Sequence, residues 1–203
     1  MEWSLIQASR ELARGRFPRV LKLPLVPDQF TLILEALGPQ SRVLDVGANN
    51  RRLEGILRRR RTDVYYRSLD VDRRLPHDFH DLSEVREKFD LIACLDVVEH
   101  LTVEEAGRLL EGIQPVLDRD GLLFVSTPNV HHPTWFRRDC THRTAFHYNE
   151  LAGLVLRAGL REAEVFRVGE LDFQGRLAFA VFKPLIKLLD LDYATSIVIR
   201  ARK

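Results

Sequence analysis

The chain has 203 residues, of which 45% are hydrophobic and 30% are charged, as expected for one water-soluble globular domain. Its 31 basic and 29 acidic residues leave a net charge of only +2, which gives no electrostatic reason to expect nucleic acid as a partner. No apolar run approaches the ~18 residues of a membrane span, and the first residues lack the apolar core of a signal peptide. We therefore expect a cytoplasmic protein with no membrane partner.

Strand and helix patterns alternate along the chain. The first 40 residues predict a helical arm that covers the domain, with an amphipathic helix at 28–39, and residues 41–203 predict the domain itself. Strand patterns fall at 42–46, 64–72, 89–96, 121–127, 162–168 and 196–202, and helix patterns fall at 52–60, 102–117 and 149–160. Strands separated by helices of this length predict one compact α/β domain, with a mostly parallel, doubly wound sheet between two helical layers.

Several residues predict where helices begin and end. Thr102 and Glu105 have the spacing of a capping box. Asn149 is the predicted N-cap of the next helix, and Gly159 is its predicted C-terminal stop.

The loop after the first of these strands reads Asp45-x-Gly47-x-Asn49-x-Arg51. A dinucleotide loop needs three glycines so that backbone amides can approach a pyrophosphate, and a P-loop needs Gly-Lys-Ser/Thr. The pattern therefore argues against NAD, FAD and ATP. An acid followed by a tight turn suits a cofactor that carries a positive charge and no phosphate. Asn49 can adopt the left-handed conformation of a glycine, whereas Arg51 replaces the third glycine.

Five motifs in order, from about residue 42 to residue 159, resemble the class I S-adenosylmethionine-dependent methyltransferases, in particular their small-molecule branch. They are "LDVGANN", "SLDVD", "HDFHDL", "FDLIACLDVVEHL" and "LLFVSTPN", followed by "THRTAFHYNEL". The resemblance implies a seven-stranded Rossmann-like sheet, in which "HDFHDL" forms a short strand. It also implies S-adenosylmethionine as cofactor, with S-adenosylhomocysteine as product.

The same resemblance implies roles for individual residues around the cofactor. Asp70 would bind the ribose hydroxyls, with Asp72 as an alternative, and Asp81 and Leu82 would flank the adenine. The full set of implied cofactor-binding residues is Asp45, Gly47, Ala48, Asn49, Asp70, Val71, Asp81, Leu82, Leu95 and Asp96.

Two histidines are candidate general bases, because imidazole can take up a proton near neutral pH. His100 follows the "LDVVEH" strand end, and His142 lies in the stretch 129–148, which we interpret as a substrate lid with Arg137 and Arg138 available to an acidic group. The predicted function is methyl transfer from S-adenosylmethionine to an oxygen or nitrogen of a small-molecule acceptor.

Two other functions stay open at this stage. A chain with an altered glycine loop could be a cofactor-binding pseudo-enzyme or regulatory partner. Alternatively, Asp96, Glu99, His100 and His142 are similar to the metal-binding set of the RNA 3′-terminal 2′-O-methyltransferases of plant microRNAs. We expect no metal ion, since many small-molecule methyltransferases share the Glu-His pair without one.

Two further patterns have plain structural interpretations. The arginines 58–61 suit a solvated helix C-terminus, with an RNA-binding patch as the minority interpretation. An apolar stripe predicts either core or the face of a homodimer, and it comprises Leu177, Phe179, Val181, Phe182, Leu185, Ile186, Leu188 and Leu189.

Overall fold

The computed structural model describes residues 2–170 and 173–203 as a three-layer α/β domain. The strands are β1 Leu25–Val26, β2 Arg42–Val46, β3 Tyr65–Leu69, β4 Phe89–Cys94, β5 Leu117–Pro128, β6 Arg161–Val168 and β7 Ser196–Arg202. The helices are α1 Glu2–Ala13, α2 Gln29–Ala36, α3 Arg52–Arg60, α4 Val103–Val116, α5 Tyr148–Arg157 and α6 Phe173–Leu188. Short 3-10 helices cover Val20–Lys22, Leu82–Glu84, Val98–His100 and Phe136–Arg138.

The strands form one seven-stranded sheet in the order β1-β6-β7-β5-β4-β2-β3. Only β7 runs antiparallel to its neighbours, β5 and β6. Side chains alternate between the faces: Leu44 and Ile92 pack with α4 and α5, whereas Val43 packs with α2 and α3. The predicted doubly wound, mostly parallel seven-stranded sheet is confirmed.

One strand differs from the prediction. "HDFHDL" (residues 77–82) contributes only a single bridge, between Phe79 and Leu69. The Asp78 carboxylate accepts hydrogen bonds from the Ser68 amide (2.8 Å) and hydroxyl (2.9 Å), so a side chain takes the place of a continued strand ladder. The seventh strand is instead β1, which pairs in parallel with β6 between two prolines, Pro24 and Pro27.

Elements from the first 40 residues pack directly against the rest of the domain. Helix α1 packs on α4 and α5, so close to α5 that a Cβ on Gly153 would lie 2.0 Å from the Ser9 carbonyl oxygen. Strand β1 extends the sheet, and α2, capped by the Asp28 carboxylate, packs against α3.

The helix ends follow the predictions with one exception. The Thr102–Glu105 capping box is present, and Gly159 follows α5 with φ 88°. Asn149 is not the N-cap of α5, because the helix begins at Tyr148. His147 takes that position: its ring Nδ1 accepts from the Asn149 amide (3.2 Å), and Glu150 accepts from the His147 amide in return (3.0 Å).

Much of the apolar stripe on α6 is exposed. Leu177, Val181, Phe182, Leu185, Leu188 and Leu189 are each at least half exposed. The interpretation of these six side chains as core is therefore wrong, and the dimer face stays a prediction. Within the described residues, no helix combines the length and the apolar character needed to cross a membrane.

Candidate functional site

The loop between β2 and α3 is built from residues in left-handed conformations. Gly47, Asn49 and Arg51 have φ values of 75°, 39° and 56°. The amides of Gly47 and Ala48 both donate to the Leu69 carbonyl, at 2.8 and 3.2 Å. A Cβ at Gly47 would lie 2.3 Å from Cγ2 of Val97, so only glycine fits there. The left-handed Asn49 confirms its predicted substitution for a glycine.

Arg51 holds the loop by its side chain. Its guanidinium donates to the Ser68 hydroxyl within β3 (2.9 Å) and to the Pro76 carbonyl beyond that strand (2.6 Å). A left-handed non-glycine residue costs about 1–2 kcal/mol, and two hydrogen bonds from a charged group offset a cost of that order. The loop is therefore an ordered turn despite the missing glycines.

Asp70 lies at the end of β3, directly beside this loop. Its carboxylate accepts from the Asn49 amide at 2.8 Å and from the Asp72 amide at 2.9 Å. Asp72 instead forms an ion pair with Arg74 at 2.7 Å. Val71 is 82% exposed, which leaves its apolar side chain free to contact a ligand. The geometry favours Asp70 over Asp72 as the acid that faces the loop.

Asp45 opens the loop as a buried carboxylate. It accepts a hydrogen bond of 2.8 Å from the hydroxyl of Tyr66. Burial, with a smaller contribution from the nearby Asp70, raises the pKa of Asp45 to about 6, although this hydrogen bond lowers it. A cationic ligand beside this group would favour its ionised form.

A cavity of about 200 Å³ opens at this loop, at the carboxyl ends of β2 and β4. The predicted residues that line it are Asp45, Gly47, Ala48, Asn49, Leu95 and Asp96. The sequence analysis missed further lining residues, namely Gln29, Phe30, Asn50, Arg52 and Leu53. The signal that could have found Gln29 and Phe30 is the predicted cover from the first 40 residues, since both lie in the first turn of α2.

Four of the predicted cofactor-binding residues do not line this cavity, namely Asp70, Val71, Asp81 and Leu82. Asp81 caps the 3-10 helix that follows it, where its carboxylate accepts from the Ser83 amide at 2.8 Å and its pKa is lowered by those bonds. Leu82 lines a separate cavity with Gly112 and Pro115. Their contact with an adenine stays a prediction.

A second cavity, of about 440 Å³, adjoins the first and shares Gln29, Phe30, Arg52 and Asp96 with it. Asp96 has a left-handed backbone (φ 54°), and the Ser126 hydroxyl donates to its carboxylate at 2.8 Å. Glu99 and Asp28 also line it, and so do four residues from the predicted lid, Trp135, Arg138, Asp139 and His142. The loop cavity therefore lies beside a larger compartment that can take a second molecule.

His100 and His142 lie side by side, with ring centroids 5.0 Å apart. His142 donates from Nδ1 to the Phe136 carbonyl at 2.7 Å, because a carbonyl can only accept. The Thr141 hydroxyl donates to Asp139 (2.6 Å), so toward His100 Nδ1 (3.0 Å) it acts as acceptor. Both rings therefore carry the proton on Nδ1 and a lone pair on Nε2.

Glu99 is a buried acid between these histidines and Asp96. It is 1% exposed, and neither carboxylate oxygen has a hydrogen-bond partner among the described residues. Burial, together with repulsion from Asp96, raises the pKa of Glu99 to about 8. Sequence reasoning singled out this residue but could not show that its carboxylate lacks a partner.

The arginines of the second cavity stack on aromatic rings. The Arg138 guanidinium lies 4.5 Å from the centroid of the Trp135 ring, and that of Arg52 lies 5.0 Å from the Phe30 ring. Arg137 lines a different cavity, with His131 and Asp190. Stacking holds Arg52 and Arg138 at the lining, where each can meet an anionic group.

The basic run at residues 58–61 lies away from the site. Helix α3 starts at the cofactor loop, so its last turn lies about 12 Å along the axis from that loop. Arg58 pairs with Glu54 at 2.6 Å, and Arg61 pairs with Asp63 at 3.1 Å. The run therefore ends a helix, as predicted, and it forms no basic path into either cavity.

Comparisons with known proteins agree with this arrangement. A family profile described as a methyltransferase domain matches residues 15–165. Among solved structures, the chain is similar to an S-adenosylmethionine-dependent methyltransferase from Archaeoglobus fulgidus, at 17% identity and a TM-score of 0.71, with 98% of this chain and 96% of that chain covered. No curated protein matched the sequence.

Two further structures share the fold. A TehB-like S-adenosylmethionine-dependent methyltransferase from Corynebacterium glutamicum has 17% identity and a TM-score of 0.59, with 100% of this chain and 97% of that chain covered. Phosphoethanolamine N-methyltransferase 2 of Haemonchus contortus, solved with S-adenosyl-L-methionine, has 14% identity and a TM-score of 0.58, with 100% of this chain and 57% of that chain covered.

Proposed function

Because the chain belongs to the class I S-adenosylmethionine-dependent methyltransferases, we propose that it transfers a methyl group from this cofactor to an oxygen or nitrogen atom of a small molecule. The observation that carries the proposal is the pair of adjoining cavities that share Asp96. One is lined by the cofactor loop, and the other by His142 and two arginines. A donor and an acceptor can therefore meet at their junction.

The donor compartment suits a cationic cofactor without phosphate. Asp45 and Asp96 line it, and both carboxylates favour the sulfonium and ammonium groups of S-adenosylmethionine. Asp70 lies next to the loop amides. Its carboxylate can accept hydrogen bonds from both ribose hydroxyls once it releases the hydrogen bond from the Asn49 amide. We assign the adenine to Val71, Asp81 and Leu82.

The acceptor compartment has two arginines and four acids in its lining, and it suits a small molecule whose acidic group lies at the arginines. Its volume of about 440 Å³ is within the usual range for small-ligand sites. Arg52 and Arg138 have no ion-pair partner among the described residues, so a carboxylate or phosphate on the acceptor would supply one. RNA is not favoured, because the basic run 58–61 lies at the far end of α3.

The transfer itself needs alignment more than activation. The acceptor atom forms its bond to the methyl carbon as the carbon–sulfur bond breaks, and the sulfonium becomes the neutral thioether of S-adenosylhomocysteine. Holding the two in line within a closed site supplies most of the catalysis. For a hydroxyl acceptor, Nε2 of His142 or His100 takes the proton, which adds about 10²- to 10⁴-fold in rate.

The experiment that tests the proposal uses methyl-labelled S-adenosylmethionine and a panel of hydroxy and amino acids, with products followed by mass spectrometry. We expect labelled product from at least one acidic acceptor, with a rate reduced ~100-fold or more in His142→Gln. The matched control is His132→Gln, since His132 lies in the same stretch but lines the cavity of Arg137.

Two results would redirect the proposal. Tight cofactor binding with no product from any acceptor would favour the cofactor-binding partner over the enzyme. Full activity in both His100→Gln and His142→Gln would remove the general base and leave alignment alone.

A further inference from the structure

We propose that Glu99, His100 and His142 bind one divalent transition-metal cation beside the second cavity. One ligand atom from each of these residues lies within 4.8 Å of the other two. Ligand atoms that share one ion at about 2.1 Å lie roughly 3 to 4 Å apart, so a small side-chain adjustment closes the site. The sequence analysis expected no metal ion, and the placement of these side chains argues for the opposite.

The Glu99 carboxylate is the first observation that points to a cation. Both of its oxygens are buried without a hydrogen-bond partner in the described part of the chain. A buried carboxylate with no partner is costly, and buried charges are normally paired or bound to metal. No lysine or arginine side chain forms an ion pair with Glu99 among these residues, so the partner that the site lacks is a cation from outside the chain.

The two histidines are prepared for coordination. Nδ1 of His142 donates to the Phe136 carbonyl, and Nδ1 of His100 donates to the Thr141 hydroxyl. Metal-binding histidines usually donate their second ring nitrogen to such an oxygen, which fixes the tautomer and the ring orientation. Nε2 of each ring therefore presents a lone pair, as a neutral imidazole ligand requires.

The backbone holds the ligands together across a long sequence separation. The Glu99 carbonyl accepts from the amides of Arg143 (2.7 Å) and Thr144 (3.0 Å), the residues that follow His142. These bonds tie the lid stretch to the 3-10 helix Val98–His100. Main-chain hydrogen bonds therefore hold the two segments that carry the three side chains next to each other.

The ligand set indicates the class of ion. Two imidazole nitrogens and one carboxylate oxygen suit first-row transition metals better than Mg²⁺ or Ca²⁺, which prefer oxygen ligands. Because Glu99 and His142 line the second cavity, an ion held by them would lie beside the proposed acceptor compartment.

The role of the ion in methyl transfer rests on the proposed function. A metal cation held by these residues would lower the pKa of an acceptor hydroxyl bound to it, which would then lose its proton to water and attack the methyl carbon as the carbon–sulfur bond breaks. In that state His100 and His142 act as ligands and not as bases.

The test is direct metal binding by the full-length protein after treatment with a chelator, without cofactor or acceptor. Mn²⁺ is titrated and its free signal followed by electron paramagnetic resonance, and Zn²⁺ is measured by competition with a chromogenic chelator. We expect one ion per chain for at least one of the two metals. Glu99→Gln and His142→Gln should each weaken binding by about ten-fold or more.

Matched controls separate this site from incidental binding. Glu35→Gln changes an exposed acid on α2, and His132→Gln changes a histidine outside the cluster. Neither should alter the affinity. Failure of wild-type protein to bind either metal, or unchanged binding in both Glu99→Gln and His142→Gln, would overturn the inference. S-adenosylhomocysteine binding measured on the same samples tests the proposed function separately.

Discussion

The buried carboxylate of Asp45 makes the stability of the fold depend on pH, and it also faces the proposed cofactor site. Its pKa is raised in the folded state to about 6 from an ordinary value of 3.8, so the folded protein holds a proton there that the unfolded chain releases. The contribution of this group to stability is therefore greatest at low pH and is lost as the pH rises through about 6. Above that pH the buried charge destabilises the fold until a cationic ligand compensates it.

Asp45→Asn should remove this pH dependence. The amide oxygen of asparagine can still accept from Tyr66, but asparagine carries no charge. We expect the free energy of unfolding of the variant minus that of wild type to increase by about 2 kcal/mol as the pH rises from 4.5 to 7.5. Urea unfolding at the two pH values measures it. A difference that stays constant with pH would show that Asp45 is not the titrating group.

Gly47→Ala should disrupt the cofactor loop. The new Cβ would lie 2.3 Å from Val97 Cγ2, at a backbone φ of 75°. We expect a loss of about 1–3 kcal/mol in stability and weaker S-adenosylhomocysteine binding. Adding Val97→Ala should recover part of both losses, since it removes the clashing methyl groups but not the backbone strain. Thermal unfolding and calorimetric binding on the four proteins of this cycle test the account, and a double variant no better than Gly47→Ala would contradict it.

Helices α1 and α5 approach each other so closely that their backbones touch. Replacement by alanine should therefore have opposite effects on stability at two helical glycines. A Cβ at Gly153 would lie 2.0 Å from the Ser9 carbonyl oxygen, whereas a Cβ at Gly55 in α3 meets nothing within 4 Å.

Gly153→Ala should force α1 away from α5 and destabilise the protein by about 1–3 kcal/mol or more. Gly55→Ala should stabilise it by roughly 0.5–1 kcal/mol, because alanine favours a helix interior. Chemical denaturation of both variants measures the contrast. Equal effects of the two substitutions would show that α1 does not pack as described.

The elements that could be predicted from the sequence are those with a strong local pattern. The run Phe89–Cys94 is apolar throughout because β4 is buried on both faces, and Thr102 with Glu105 caps α4 through contacts within one turn. Strand β1 has only two residues, and its place in the sheet depends on β6, about 140 residues later. No local pattern could reveal such a pairing.

In the site too, residues with a local sequence pattern could be predicted, and residues placed by tertiary packing could not. The residues of the β2–α3 loop and the Asp45 and Asp96 strand ends could be predicted, since they follow strands whose carboxyl ends share one edge. Gln29 and Phe30 reach the site from α2. The Glu99 carboxylate has no hydrogen-bond partner because of how distant segments of the chain pack around it. These are tertiary facts that spacing along one chain does not encode.

The described part of the chain presents an apolar face on α6 as well as the paired cavities. Exposed side chains on α6 include Val181, Leu185 and Leu188, at 65%, 50% and 80%. A contiguous exposed apolar face of this kind is typical of an interaction site, and a second copy of the chain is the partner that the sequence predicts.

Leu185→Glu should therefore convert a homodimer to a monomer at micromolar concentration, since it places a charge in the centre of the face. Light scattering coupled to size-exclusion chromatography measures the mass. Glu35→Gln, away from α6, serves as the control. A monomeric wild type would contradict the homodimer.

The most direct test of the central claim is thermal unfolding with and without S-adenosylhomocysteine, for wild type, Asp70→Ala and Asp72→Ala. A ligand at ~100 times its dissociation constant adds about 2.7 kcal/mol, which raises Tm by roughly 5–10 °C in a chain of this size. We predict that shift in wild type and Asp72→Ala and its loss in Asp70→Ala. The absence of any shift in wild type would contradict the account, because the loop from Gly47 to Arg51 would then not hold the cofactor.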